Sequence, residues 1–273
     1  MIVQHNMQAM NTNRMLGQNV KAVGKNMEKL SSGYKVNRAA DDAAGLSISE
    51  KMRNQIRGLN QAVNNAEDGI SLIQTAEGNL NEIHSILQRM GELATKAAND
   101  VNATEDRDSI ADEMTQLQTE IDAIASKAAF NGTKLLNGDM DSSNPKLLQV
   151  GAVAGENMSI AISVMNTTGL GLTTVPVDSH ANASSTMSAV TAAIKTVSAQ
   201  RSRLGAIQNR LEYTINNLQN YAENLQSAEA RIRDTNMATE MVNYSKNSIL
   251  QQAAQSMLAQ ANQSTQSVLQ LLQ

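Results

Sequence analysis

Residues 46–98 read LSISEKMRNQIRGLNQAVNNAEDGISLIQTAEGNLNEIHSILQRMGELATKAA. Within them Ile48, Met52, Ile56, Leu59, Val63, Ala66, Ile70, Ile73, Ala76, Leu80, Ile83, Leu87 and Met90 keep alternating steps of three and four. The mean step is close to 3.5 residues, the period of a coiled-coil seam. No proline interrupts the run. At 1.5 Å per residue such a helix is roughly 80 Å long. A helix of that length does not wrap a compact core, so it needs partners beside it.

A shorter stripe lies upstream, and the partners of the long helix lie downstream. Upstream, Leu16, Val20, Val23, Met27 and Leu30 form a shorter stripe that stops at Ser31-Ser32-Gly33, where Gly suits a helix C-terminus. Downstream, after a polar turn around residues 99–105, Ile110, Met114, Leu117, Ile121 and Ile124 make a third stripe. A fourth runs Met187, Val190, Ile194, Val197, Leu204, Leu211, Ile215, Leu218, Leu225 and Ile232, with Arg201 and Gln208 as weak breaks and Ile207 as an alternative. Three helices of this kind bury their stripes mutually in an antiparallel bundle.

Residues 131–182 change character. Asn131-Gly132, Asn137-Gly138 and Gly169-Leu170-Gly171 are turn signals. Met158, Ile160, Ile162 and Val164 alternate with Ser159, Ala161, Ser163 and Met165, a strand pattern that Leu148-Gln149-Val150 can pair across Gly151 to Gly155. A small β-hairpin inserted between helices is expected.

The ends carry almost no charge. Lys246 is the last charged side chain, yet Ile249, Leu250, Ala253, Ala254, Met257, Leu258 and Ala261 recur at helical spacing among glutamines. In the first twenty residues Arg14 is the only full charge. Exposed helices usually carry Lys and Glu that keep them soluble and apart. Uncharged amphipathic ends point to packing surfaces, each the other's candidate. Membrane-surface helices favour Lys and Arg on one face and Trp or Phe on the other, and neither pattern occurs here.

Composition narrows the function further. Of 273 residues, 41% are apolar but only 2% aromatic, and the net charge of -4 gives no reason to expect nucleic acid or an anionic membrane. No stretch approaches 18 uninterrupted apolar residues, and the N-terminus has no basic region followed by an apolar run, so neither a transmembrane helix nor a cleaved secretory signal is expected. With no cysteine, disulfides and thiolate chemistry are excluded. His5, His84 and His180 are far apart and lack a second ligand at helical spacing, so no metal site is expected. Asp41-Asp42, ahead of Ala43-Ala44-Gly45, read as helix N-terminal charges. Gly169-x-Gly171 lacks the following Lys-Ser/Thr of a phosphate loop. No catalytic constellation and no cofactor site emerge.

The run Leu30-Ser31-Ser32-Gly33-Tyr34-Lys35-Val36-Asn37-Arg38-Ala39-Ala40-Asp41-Asp42-Ala43-Ala44-Gly45-Leu46 closely resembles the N-terminal signature of bacterial flagellins. Residues 69–78 and 130–136 are similar to that family's second and third motifs, and 204–211 and 258–263 to its C-terminal ones. The resemblance implies a short member lacking variable outer domains. Residues 1–42 with 234–273 would form the coiled coil of an inner tube, and 43–233 an outer-tube helical bundle with the hairpin region at about 131–182. It also implies an exported, extracellular structural subunit that polymerises with itself for motility. A flagellar export chaperone, an assembly cap and hook–filament junction proteins would be its partners. The assembly surfaces of the ends would be Leu16, Val20, Val23, Met27, Leu250, Met257 and Leu258. The family's surface for the animal flagellin-sensing Toll-like receptor maps onto Gln88-Arg89-Met90-Gly91-Glu92-Leu93, with Arg89, Leu93, Glu113 and, nearby, Arg210 as receptor or subunit contacts. Gly91 stands where a second Arg is usual. A hook–filament junction protein is the nearest alternative, and a cytoplasmic coiled-coil scaffold a more distant one.

Overall fold

The computed structural model describes residues 6–270, and their side chains apart from 265, 266 and 268–270. His5 therefore lies outside the described residues. Five helices carry most of the chain: α1 (Met7–Ser32), α2 (Ala43–Ala97), α3 (Thr104–Lys127), α4 (His180–Arg233) and α5 (Met237–Gln270). Two small antiparallel pairs lie between α3 and α4: β1 (Ala129–Phe130) with β2 (Thr133–Lys134), and β3 (Lys146–Gln149) with β4 (Asn157–Ile160). The mainly helical class with a hairpin insertion is thus as the sequence predicts.

The ends of α1 and α2 have local causes. Asn6 accepts the Ala9 N–H at 3.0 Å and caps α1. Gly33 closes it at φ 76°, donating to the Lys29 carbonyl, a conformation that glycine adopts without Cβ strain. Asp42 does serve the start of α2, accepting the Gly45 N–H at 2.9 Å through Oδ1. A Cβ on Gly45 would fall 2.3 Å from Asp42 Oδ2, so the cap needs glycine there. Asp41 has a different task, described below.

The chain divides into two compact units, one of residues up to Asn54 with those from Glu223, the other Gln55–Ala222. The divisions fall inside α2 and α4 instead of at the helix breaks near 42 and 234. In the second unit Leu59, Ala66, Ile73, Ala76, Leu80, Ile83, Leu87 and Met90 are buried along α2. Those from Ala66 onward pack with Ile110, Met114 and Ile121 of α3 and with Val190, Val197, Leu204 and Leu211 of α4 in one core. Burying each such side chain contributes roughly 1.5–3 kcal/mol.

The structure departs from the sequence reading in three places, two in the helical seams and one in the hairpin. Ile48 is 47% exposed, and Ser49 beside it is buried. On α4 the seam passes through Gln200 and Ile207, and Gln200 satisfies its amide by donating to the Ala161 carbonyl. Arg201 sits at the edge, 3.5 Å from Glu77. The strand alternation also ends early. Met158, Ile160 and Ile162 face inward, but Met165 is buried and Val164 only half-buried. The reason is that the chain leaves β4 after Ile160: Ile162 N–H donates to Met140 and Met165 N–H to Leu136. The Asn131-Gly132 turn closes its own hairpin, with φ of 47° and 79° at the two residues, the left-handed pair that a two-residue turn requires.

Candidate functional site

The end helices form an antiparallel pair. Asn6 Nδ2 donates to the Ala261 carbonyl at 2.9 Å, and Lys29 Nζ lies 3.9 Å from Glu240 Oε1. Leu16, Val23 and Leu30 of α1 are half-buried, as are Tyr244, Ala254 and Leu258 of α5, marking the stripes through which the helices meet. Two of the most buried positions in this unit are polar, Asn26 and Glu240. The Asn26 Nδ2 has no hydrogen-bond partner among the described residues.

Much apolar surface in this pair is left uncovered. Val20 and Met27 were expected in the seam of α1 but are exposed, while Asn26 turns inward. On α5, Ile249 is 66% and Val242 68% exposed, and Leu250 and Met257 also face solvent. Ile249 is nine residues from Leu258, about two and a half turns, so the two lie on opposite sides of the helix. A helix apolar on opposite sides needs neighbours on both. Here α1 covers only one of them.

A compact joint follows the pair. Tyr34 bridges Asp234 in antiparallel fashion, Lys35 N–H donates to the Arg233 carbonyl at 2.6 Å, and Thr235 N–H to Gly33 at 2.9 Å. Arg233 stacks its guanidinium 4.6 Å from the Tyr34 ring centre and reaches Glu50 at 2.6 Å. That contact holds the Glu50 carboxyl below its ordinary range. Asp41 pairs with Lys25 of α1 at 2.8 Å and accepts the Asn37 and Arg38 amides. The Lys25 contact first, and the Arg38 amide next, lower its pKa. Neither Glu50, Arg233 nor Tyr34 stands out in the sequence, because their contacts join segments about 200 residues apart.

The second unit carries the other candidate surface. Arg89 places Nε and Nη2 at 3.0 and 2.8 Å from Glu113 Oε1, and Nη1 at 3.2 Å from Glu92. All three side chains are well exposed, so the contact between α2 and α3 is a solvated, salt-screened ion pair that contributes little to stability. Leu93, predicted to share this exposed face, is 3% exposed and belongs to the core. Its place beside Met90, Ala94 and Ala97 widens the apolar stripe by one position and draws it inward. Arg210 is exposed but is not near Arg89. Glu77 meets Arg201, and Gly69 lies against Leu211, so α2 and α4 run antiparallel and Arg210 falls near residue 69. That is about twenty residues, or roughly 30 Å, from Arg89 along α2. A Cβ on Gly91 would meet only Val190, at 3.8 Å.

The two described histidines contact side-chain or backbone groups of the second unit. His84 lies 3.2 Å from Gln88, and His180 Nδ1 2.6 Å from the Ala98 carbonyl at the end of α2.

Comparison with known proteins places this arrangement. Residues 3–141 match the model of the bacterial flagellin N-terminal helical region, and residues 187–272 that of the C-terminal helical region. A flagellin of Halalkalibacterium halodurans is 52% identical over 274 residues, covering all of both chains. A Bacillus subtilis flagellin is 49% identical over 305 residues, again with full coverage of both. The crystal structure of Bacillus cereus flagellin shares 32% identity at a TM-score of 0.50, covering 57% of this chain and 88% of that one. With both helical regions matched and relatives alike from end to end, the chain belongs to the bacterial flagellin family and is a structural subunit of the flagellar filament.

Proposed function

We propose that copies of this chain assemble chiefly through the α1–α5 pair, residues 1–42 with 234–273, which forms the inner tube of an extracellular filament used for motility. Residues 43–233 form its outer tube. The observation that carries this reading is the apolar surface on both sides of a nearly uncharged α5, only one side of which α1 covers. Neighbouring copies would cover the rest, with Val20, Met27, Leu250 and Met257 at subunit contacts and Leu16, Val23 and Leu258 holding the pair together. Arg89 and Glu113 are offered as the exposed contacts of the bundle, to a neighbouring copy or to the animal receptor. Leu93 acts there only by supporting the helix from inside, and Arg210 belongs to a separate contact. The family resemblance supports an export chaperone, a cap and hook–filament junction proteins as further partners.

Truncation tests the proposal. Removing residues 247–273 should abolish seeded filament growth while the Gln55–Ala222 unit keeps its cooperative melting. Growth at the parent's rate without those residues would overturn it. The junction-protein reading predicts no unlimited elongation of seeds by the intact chain, which electron microscopy distinguishes directly.

A further inference from the structure

The methionines of the described residues are sorted by place in the fold, with Met52 and Met187 half-buried. Met90, Met114, Met140, Met158 and Met165 are buried in the second unit. Every methionine among the large exposed apolar side chains lies instead on an end helix: Met7, Met10, Met15 and Met27 on α1, and Met237, Met241 and Met257 on α5. Thioether sulfur is a two-electron nucleophile whose oxidation depends on access. The chain holds no cysteine to compete for oxidant.

We propose that the exposed methionines of α1 and α5 are a modification site at which peroxide-class oxidants reversibly block assembly. The sulfur lone pair attacks one peroxide oxygen, the O–O bond breaks, and an S–O bond forms. Sulfur loses two electrons, and the departing hydroxide takes a proton and leaves as water. The product is a larger, polar, chiral sulfoxide where subunit contact needs an apolar side chain. Burial against a neighbour then strips water from the new polar group and forfeits the apolar contact. A thiol-dependent methionine sulfoxide reductase reverses the step, two thiols becoming a disulfide and the oxygen leaving as water. Because the core methionines are inaccessible and Met187 of the second unit is half-buried, oxidation falls first on the end helices and blocks assembly before it reaches the folded second unit.

This inference rests on the end helices being the assembly surface, and the experiment separates the two. Full-length monomer is treated with hydrogen peroxide, oxidation is mapped by peptide mass spectrometry, and seeded growth is measured before treatment, after it, and after reductase with dithiothreitol. The expected result is that the seven exposed methionines oxidise about tenfold or more faster than Met90, Met114, Met140 and Met165. Growth is then lost with the melting of the second unit unchanged, and returns on reduction. In a variant with Met→Leu at all seven positions, seeded growth should be the same before and after peroxide, whatever its starting rate. Should that variant fail to assemble, the reductase rescue of the parent still decides the matter. Unchanged growth of the oxidised parent, or loss that reductase does not restore, overturns the oxidation inference. Failure of the untreated chain to extend seeds overturns instead the assembly reading beneath it.

Discussion

Replacing Val242 and Ile249 together by alanine separates assembly from folding. Both side chains are about two-thirds exposed in the single chain, 68% and 66%. Full burial of a Val or Ile side chain is worth roughly 1.5–3 kcal/mol, so about two-thirds of that remains to be gained on contact with a neighbour. Truncation to alanine forfeits most of this gain, about 1 kcal/mol per site and roughly 2 kcal/mol for the pair. At 1.4 kcal/mol per tenfold, the critical concentration for seeded growth should rise roughly 30-fold. The single chain should not suffer. Alanine is the better helix former, and exposed substitutions move stability by about 0.5 kcal/mol or less. Sedimentation of seeded protein at graded concentrations gives the first quantity, and thermal melting by circular dichroism the second. A critical concentration within about twofold of the parent's, with helices intact, would refute the assignment of this face to subunit contact.

Other expectations follow from particular contacts. Leu93→Ala should destabilise the second unit by about 2–5 kcal/mol through a core cavity, whereas Arg89→Ala, which removes only a solvated ion pair, should change it far less; equal effects in chemical denaturation would contradict Leu93's buried place. Gly91→Ala should stabilise by about 0.5–1 kcal/mol, because a Cβ there meets only Val190 at an ordinary contact distance; a loss of stability would show that the helix interior needs the glycine. Asp41 and Glu50 have depressed pKa values in the folded chain, so the unfolded state binds more protons in that range. The stabilisation of the joint is present above the ordinary carboxylate values of about 4 and is lost as pH falls through the depressed ones. Hydrogen exchange at the Lys35 amide, which donates to Arg233, should accelerate there beyond the intrinsic pH effect, and protection that stays flat to the lowest pH would count against it.

Helix period and turn chemistry made the long seams legible, from Leu59 to Met90 almost residue by residue. They are local signals, repeated often enough to outvote individual exceptions. Leu93 was misplaced because motif likeness marks a contact surface without saying which side of a helix is already occupied. Val20 and Met27 failed as seam residues for a related reason. On a helix with apolar side chains all round, the 3–4 spacing cannot tell the face that meets α5 from the face that meets another copy. Asn26 and Glu240 went unnoticed because polar residues in a stripe read as interruptions. The joint was invisible, since Arg233 and Glu50 are brought together only when α2 and α4 have packed along their length. Charge depletion at the ends was the most informative signal for function. It concerns what a surface avoids, and that property survives whatever the exact contacts are.

The most direct measurement is a helical reconstruction by electron microscopy of filaments grown from this purified chain on seeds. The expected map has α1 and α5 in the innermost layer, with Val242 and Ile249 buried against neighbouring copies and the Gln55–Ala222 unit outside them. A filament held together by the outer unit alone, with Val242 and Ile249 still facing solvent, would contradict the assignment of assembly to the end helices.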